Sequence, residues 1–465
     1  MQAYLSKFLK GHKTLLLGLG REGLSTYRAI RREMPDHPVT IADKDPRVPE
    51  RAGVDTRFSN AEFALGDHYL DAIREHTLII KSPGISLKGK ENMLEGKVVT
   101  SQTDIFLKLF ASQIIGITGT KGKSTTSSLI RSILSSGGHD ALLMGNIGVP
   151  PLDTMDRIGP ATRIVFELSS HQLEYVNISP SVGVLLNIFQ EHLDHYPTFE
   201  SYKSAKFNIA RFRKPGDLLV YDLDEPETAV LSDIFRDDRG LFPFSVKQEI
   251  SHGIHASGGK VVCRLPGQEP VIFDFTKRTG LPGTHNLKNI MAATGVAIQK
   301  GIPEKIISEA IHSFRGLDHR LEHIGNFGGV DFYDDAIATV PEAVMAAVDT
   351  LKKVDVLILG GMDRGVDYSR LAAFLHRSGI RILVLSGSAG VRIRNELERI
   401  RDKQGGDLKW IFLDNFRDLE ELLPRIVTTG DTCLLSPAAP SYDSFSSFRD
   451  KGNNFKKWAS GINRQ

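Results

Sequence analysis

The sequence predicts an α/β protein of three successive domains, and three observations carry that expectation. Its 465 residues exceed what one hydrophobic core usually serves. Short apolar runs alternate along the whole chain with amphipathic, helix-period segments, as in mostly parallel sheets covered by helices. The apolar runs fall into three groups, each large enough to close a sheet of its own.

The first group holds the runs 14–18 (TLLLG), 39–42 and 77–80. The second holds 113–118 (QIIGIT), 163–168 (RIVFEL), 182–188 (VGVLLNI) and 217–221. The third begins near Val330 and continues with 354–359, 381–385, 410–413 and 432–435. Between Gly240 and Gly283 the pattern becomes Gly- and Pro-punctuated alternation (GGKVVCRLPGQEPVIFDF), which predicts antiparallel hairpins appended to the second sheet. Domains are therefore expected over residues 1–111, 112–315 and 316–465.

Composition excludes several classes. Hydrophobic residues at 41% and charged residues at 25% match a globular chain rather than a disordered one. Cys263 and Cys433 are too few and too far apart for a disulfide framework or a cysteine zinc site. No apolar run reaches 18 residues and MQAYLSKFLKGHK has no signal-peptide pattern, so a cytoplasmic protein without a membrane span is expected. A net charge of +2 with no basic tract argues against a nucleic-acid partner and for small-molecule substrates.

The strongest local signal is Gly116-Ile-Thr-Gly-Thr-Lys-Gly-Lys-Ser-Thr125, an apolar strand running through a Gly-rich turn into the helical pattern SSLIRSIL. Such a turn offers Gly119, Thr120, Lys121 and Gly122 amides to a phosphate at a helix N-terminus. Lys123 would reach the terminal phosphates and Ser124 a magnesium ion. Ile117 stands where the strict G-x4-G-K-[ST] pattern has its first glycine. The alternative is a Gly-rich turn with a chance Gly-Lys-Ser.

Glu167 closes the next strand on the same sheet edge, where a carboxylate can help hold magnesium, although an acid there more often caps a helix. His192 and His195, in QEHLDHYP, could suggest zinc, but no third ligand with suitable spacing is evident. His192 serves as well as a neutral magnesium ligand or substrate contact.

At the N-terminus Gly18-Leu-Gly20-Arg21-Glu22-Gly23 fits GxGxxG after strand one, and Asp43 closes strand two. That fingerprint keeps a NAD-dependent oxidoreductase as a rival, yet the same loop can hold the diphosphate of a UDP-sugar. A reductase would have no use for the second phosphate loop at Gly116.

Together these residues resemble the Mur ligase family, across nearly the whole chain and in the same order. By that resemblance the GxGxxG segment and Ser82-Pro-Gly84 bind a UDP-linked precursor, with Asn146 of Gly145-Asn-Ile-Gly148, Gln172 and His192 completing that site. The resemblance makes residues 119–125 through Thr125 the ATP loop, with Asn289 on adenine, Arg320 of Asp318-His-Arg320 at a hinge, and Asp335 on the ribose. It makes Ser124, Glu167, His192 and Lys206 the magnesium residues, Lys206 carrying a carbamate. Catalysis falls to Lys123, His192 and Lys206.

The implied reaction joins glutamate to UDP-N-acetylmuramoyl-L-alanine through an acyl phosphate, with ATP and Mg2+ and no enzyme nucleophile, in a monomer. Thr339, Arg364, Ser441 and Phe448 would line the glutamate pocket. Two departures fall there. Where the glutamate-adding pattern reads D-S-K-A-T-N, this chain has Asp335-Ala-Ile-Ala-Thr-Val340, and Arg364 replaces the lysine of G-G-x-D-K. Arginine grips a carboxylate in a plane, so L-glutamate is the alternative to D-glutamate. Folylpolyglutamate synthetases place the ATP domain first, unlike this chain. Other Mur ligase steps and a non-catalytic nucleotide-binding scaffold are the remaining alternatives; Lys123, Glu167, His192 and Lys206 together oppose the scaffold.

Overall fold

The computed structural model describes residues 2–51, 53–54, 60–145, 149–235, 238–275, 281, 283–314, 316–404 and 408–462. The chain divides into two compact units, Met1–Phe314 and Arg315–Gln465, the first of which carries two sheets.

The first sheet is parallel throughout: β1 (Thr14–Leu17), β2 (Val39–Asp43), β3 (Ala61–Leu65), β4 (Leu78–Lys81) and β5 (Val98–Thr100), in the order β3-β2-β1-β4-β5. The order reverses between β1 and β4, and a crevice opens at such a switch point outside the carboxyl ends of the strands. Gly18 and Ser82, the residues that follow β1 and β4, therefore meet there.

The second sheet holds β6 (Ile114–Thr118), β7 (Ala141–Gly145), β8 (Arg163–Glu167), β9 (Val182–Leu185), β10 (Leu218–Asp222), β11 (Leu241–Ser245), β12 (Gly253–Ser257), β13 (Lys260–Arg264) and β14 (Val271–Phe273). Its order is β14-β13-β12-β11-β10-β9-β6-β8-β7. The expected hairpins exist only in part: β12, β13 and β14 are antiparallel, but β11 runs parallel to both β10 and β12. The turn residues after Ser245 mark a crossover rather than a tight reversal, which punctuation alone does not distinguish.

Strand alternation decides which side chains meet which helices. Ile115 and Ile117 face the layer containing Leu129, Ile133, Met291 and Val296, whereas Ile114 shares the other face with Phe106, Tyr202 and Ile209. Full burial of each such side chain contributes roughly 1.5–3 kcal/mol before chain entropy is subtracted. The helix Phe199–Arg211 begins at a capping box in which Thr198 Oγ1 accepts from the Ser201 amide.

The second unit has β15 (Glu322–Phe327), β16 (Val330–Asp334), β17 (Val356–Gly360), β18 (Ile382–Ser386), β19 (Lys409–Leu413) and β20 (Thr432–Leu435), ordered β15-β16-β20-β17-β18-β19. Only the β15–β16 pair is antiparallel. Asp335, Gly361 and Ser436 follow β16, β17 and β20 and share one edge. No helix among the described residues is long and apolar enough to cross a membrane.

Candidate active site

Gly122 caps the helix Lys123–Ser136 with φ 87°, and a Cβ added there would collide with the Asn289 side chain. Only glycine takes this backbone without strain while letting the adenine-contact candidate approach the loop. The Thr120 amide donates to Asn187 O at 2.9 Å and the Lys121 amide to Asn187 Oδ1 at 2.8 Å, which fixes the turn against the end of β9. Ser124 lies buried in the first helical turn, and Thr125 is half-buried.

Two lysines converge on this turn. Lys123 Nζ donates to Gly119 O at 2.9 Å and Thr120 O at 3.0 Å, and Lys206 Nζ donates to the same Gly119 O at 2.8 Å. Lys206 is 1% exposed. Burial first, then the Lys123 charge, hold its ammonium well below the ordinary lysine range. Glu167 is buried at the end of β8, opposite Ile117 in the ladder, and the Leu168 amide donates to Ile117 O.

His192 takes a left-handed backbone, φ 59°, and is partly exposed. Desolvation holds its imidazolium below the ordinary value despite Glu191 and Asp194 nearby, so the neutral ring is favoured. A cavity of about 490 Å³ opens beside the loop, lined by Gly122, Leu186, Phe189, Phe244, His285 and Asn289 among others. Its apolar walls and the Asn289 amide suit a nucleobase. A larger cavity, about 780 Å³, opens around Arg213, Lys214 and Lys300 at the opposite strand ends. There Arg213 Nε donates to Ala210 O at a helix C-terminus, so its cation already serves the fold.

The N-terminal loop is built for close approach. A Cβ on Gly23 would strike Gly18 O, Gly18 has φ 92°, and Ser82 Oγ donates to Gly18 O at 2.8 Å. Asp43 accepts from the Leu19 and Asp45 amides, so its carboxylate braces this loop. Gly20 caps the following helix, and Arg21 is exposed. Glu22 Oε1 accepts from Gln172 Nε2 at 2.7 Å, joining the loop to the second sheet's edge. Burial raises the Glu22 pKa. Asn146 lies outside the described residues.

In the second unit, buried Asp335 accepts from Ser436 Oγ at 2.8 Å and from the Leu321 amide at 3.1 Å. Burial pushes its carboxyl up to about 7, against the opposing Ser436 hydrogen bond and Arg320 charge. Arg320 and Arg364 are exposed, Thr339 and Phe448 half-buried, and Ser441 buried. Ser441 Oγ has no hydrogen-bond partner among the described residues. The Arg364 loop is held by the Met362 amide on Pro440 O and by Arg392 on Asp363. His319, Glu322 and Asp334 bring three donor atoms together. They are satisfied without a metal: His319 Nδ1 meets Asp334 at 2.6 Å, and Glu322 takes Lys456 and the His319 amide.

A model of the Mur ligase middle domain matches residues 117–297. A UDP-N-acetylmuramoylalanine–D-glutamate ligase of Pelotomaculum thermopropionicum is 33% identical over 449 residues, covering 96% of each chain. The chain belongs to the Mur ligase family. A ligase of the same name from Acetivibrio thermocellus is 30% identical, with 98% of each chain covered. The MurF ligase of Thermotoga maritima, solved with ADP, shares the fold at TM-score 0.51 and 17% identity, covering 96% of this chain and 94% of that one.

Against this Mur ligase frame, sequence reasoning missed several groups. His171 brings a third imidazole edge-on to His192 and His195, with ring centroids 4.8 and 4.2 Å apart. Burial, then the neighbouring histidines, lower its pKa to about 4. It sits twenty-odd residues upstream on the short helix Ser170–Leu173, so local spacing could not reveal it. Lys451 was also missed: its Nζ donates to Gly360 O at 2.7 Å and burial lowers it to about 8.

Proposed function

We propose that the protein is a cytoplasmic, monomeric ATP-dependent ligase that joins D-glutamate to UDP-N-acetylmuramoyl-L-alanine in peptidoglycan precursor synthesis. Its working parts are a precursor domain (1–111), an ATP domain (112–315) and an amino-acid domain (316–465). The observation that carries this reading is the convergence of Lys123 and Lys206 on Gly119 O beside the apolar pocket that ends in Asn289. The named activity of the 33%-identical relative supports the substrates.

The precursor's alanine carboxylate attacks the γ-phosphorus of ATP, ADP leaves, and an acyl phosphate remains. Glutamate's amine then attacks the acyl carbon, and phosphate departs from the tetrahedral intermediate as the amine loses its proton. Lys123 and the loop amides neutralise charge on the transferring group, and Gly18–Gly23 with Ser82 orient the precursor. The chain's donors fit magnesium: the Ser124 hydroxyl, the Glu167 carboxylate and the neutral His192 ring. Lys206, its ammonium disfavoured by burial, can hold the free amine that adds carbon dioxide to form a carbamate, a further oxygen donor. When bound there, magnesium supplies charge neutralisation for the phosphate oxygens.

L-Glutamate is the second reading. It is favoured by Ile337, which puts an apolar side chain where a lysine was expected, and by the exposed Arg364 as the remaining motif-matched cation. The mechanism is tested by supplying ATP, precursor and hydroxylamine without glutamate. A trapped hydroxamate with matching ADP is expected; ADP formation that ignores the precursor would overturn it.

A further inference from the structure

The segment that follows β4 does more than border the precursor loop. Lys81, buried at the end of β4, places Nζ 3.2 Å from Glu174 Oε2 and lies 5.3 Å from the centre of the Tyr175 ring. The same Glu174 oxygen meets His195 Nε2 at 3.1 Å. Further along, Ser86 Oγ donates to His195 O at 2.9 Å and Lys88 Nζ to Leu193 O at 3.2 Å. The turn so held is strained: His192 has φ 59°, and the His195 and Tyr196 amides both close back on His192 O at 3.1 and 3.0 Å.

A left-handed non-glycine residue persists only when its surroundings over-determine it. Those surroundings come from two places: Glu174, which follows the helix after β8, and the 81–88 segment, whose Ser82 is hydrogen-bonded to Gly18. Glu174 is the joint, because one oxygen serves both Lys81 and His195. Although burial raises its pKa, the His195 hydrogen bond and the Lys81 charge leave it below the ordinary carboxylate value, so it stays ionised at neutral pH.

We propose that Lys81, Glu174 and His195 form a positioning clasp that holds the His192 turn and couples its geometry to the precursor-binding loop at Gly18 and Ser82. None of the three touches a reacting atom; they act through His192. The clasp deepens the ligase reading above and rests on it for the role of His192, but its structural half can be measured without turnover.

Hydrogen exchange at the His195 and Tyr196 amides reports the turn directly. In the full chain, free of ATP and metal, Glu174→Gln should speed exchange at these two amides while the helix Lys123–Ser136 exchanges as in wild type. Adding UDP-N-acetylmuramoyl-L-alanine should slow the two amides in wild type and much less in Glu174→Gln. In turnover, Glu174→Gln should lower kcat on the order of 10–100-fold, the usual effect of losing a partner that orients a ligand residue, with the ATP KM nearly unchanged. Lys81→Met should act alike, and Lys81→Met/Glu174→Gln should be no worse than the poorer single variant, since each breaks the same unit.

Unchanged exchange at both amides, or additive losses in the double variant, would overturn the clasp. A wild-type protein that makes no precursor-dependent ADP would instead overturn the ligase reading, leaving the exchange result of the free chain to decide the clasp.

Discussion

Lys123 and Lys206 aim their amines at one oxygen, the carbonyl of Gly119, from 2.9 and 2.8 Å. Two ammonium groups on a single carbonyl repel each other, and burial makes it harder to keep both charged. The arrangement is relieved if Lys206 gives up its proton, or if an anion enters between the loop and the lysines. Both changes favour a site that takes up phosphate and carries a carbamate.

Lys123→Ala should therefore lower ADP formation on the order of 10²–10³-fold or more, with thermal unfolding unchanged, because it removes the charge nearest the transferring group. Lys206→Ala should also lose activity, and a short-chain carboxylic acid should restore part of it by replacing the carbamate oxygens. Steady-state ADP release checks both; full activity in unrescued Lys206→Ala would remove that lysine from the mechanism.

Asp335 gives a pH dependence of stability. Its folded pKa, about 7, lies above the ordinary value of about 4 for an unfolded aspartate. Between these values the folded state holds more protons than the unfolded chain, so this group's contribution makes stability fall as pH rises toward neutrality. Asp335→Asn removes that contribution. The Tm drop between about pH 5 and about pH 8 should be smaller in Asp335→Asn than in wild type, while its ATP KM rises. Parallel Tm curves would contradict the assignment.

Arg364 is exposed, so its loss leaves the glutamate carboxylate open to water rather than buried without a partner, and the effect should be that of one charge-assisted contact. Arg364→Ala should raise the glutamate KM by a factor equivalent to about 1.5–3 kcal/mol, with ATP and precursor constants much less affected. Arg364→Lys should recover part of it, since a point charge lacks the planar fork. Initial-rate titrations of each substrate separate these outcomes.

The central strands were legible because β1, β4, β6 and β17 are buried along their whole length and read as apolar runs, with Thr14, Lys81 and Thr118 only at strand ends. The edge strands β3, β5 and β7 were not, because they are unevenly buried and admit polar and small residues such as exposed Glu62, buried Thr100 and half-buried Gly145. The phosphate loop announced itself through strand, glycines and helix in one short stretch. Glu174, His171 and Lys81 did not: His171 and Glu174 lie on and at the end of one short helix after β8, Lys81 lies at the end of β4, and only the folded sheets bring them to His192 and His195. Lys451 read as one more basic residue in a charged helix, since nothing local tells a buried lysine from a solvated one.

The most direct measurement is ligation by the purified protein with ATP, magnesium and UDP-N-acetylmuramoyl-L-alanine, offering D-glutamate and L-glutamate in separate reactions and weighing the product. The account predicts ADP and a product heavier by one glutamyl residue with D-glutamate, at a rate well above that with L-glutamate. A product from L-glutamate alone would transfer the pocket to the second reading; no glutamyl product from either enantiomer would contradict the ligase assignment itself.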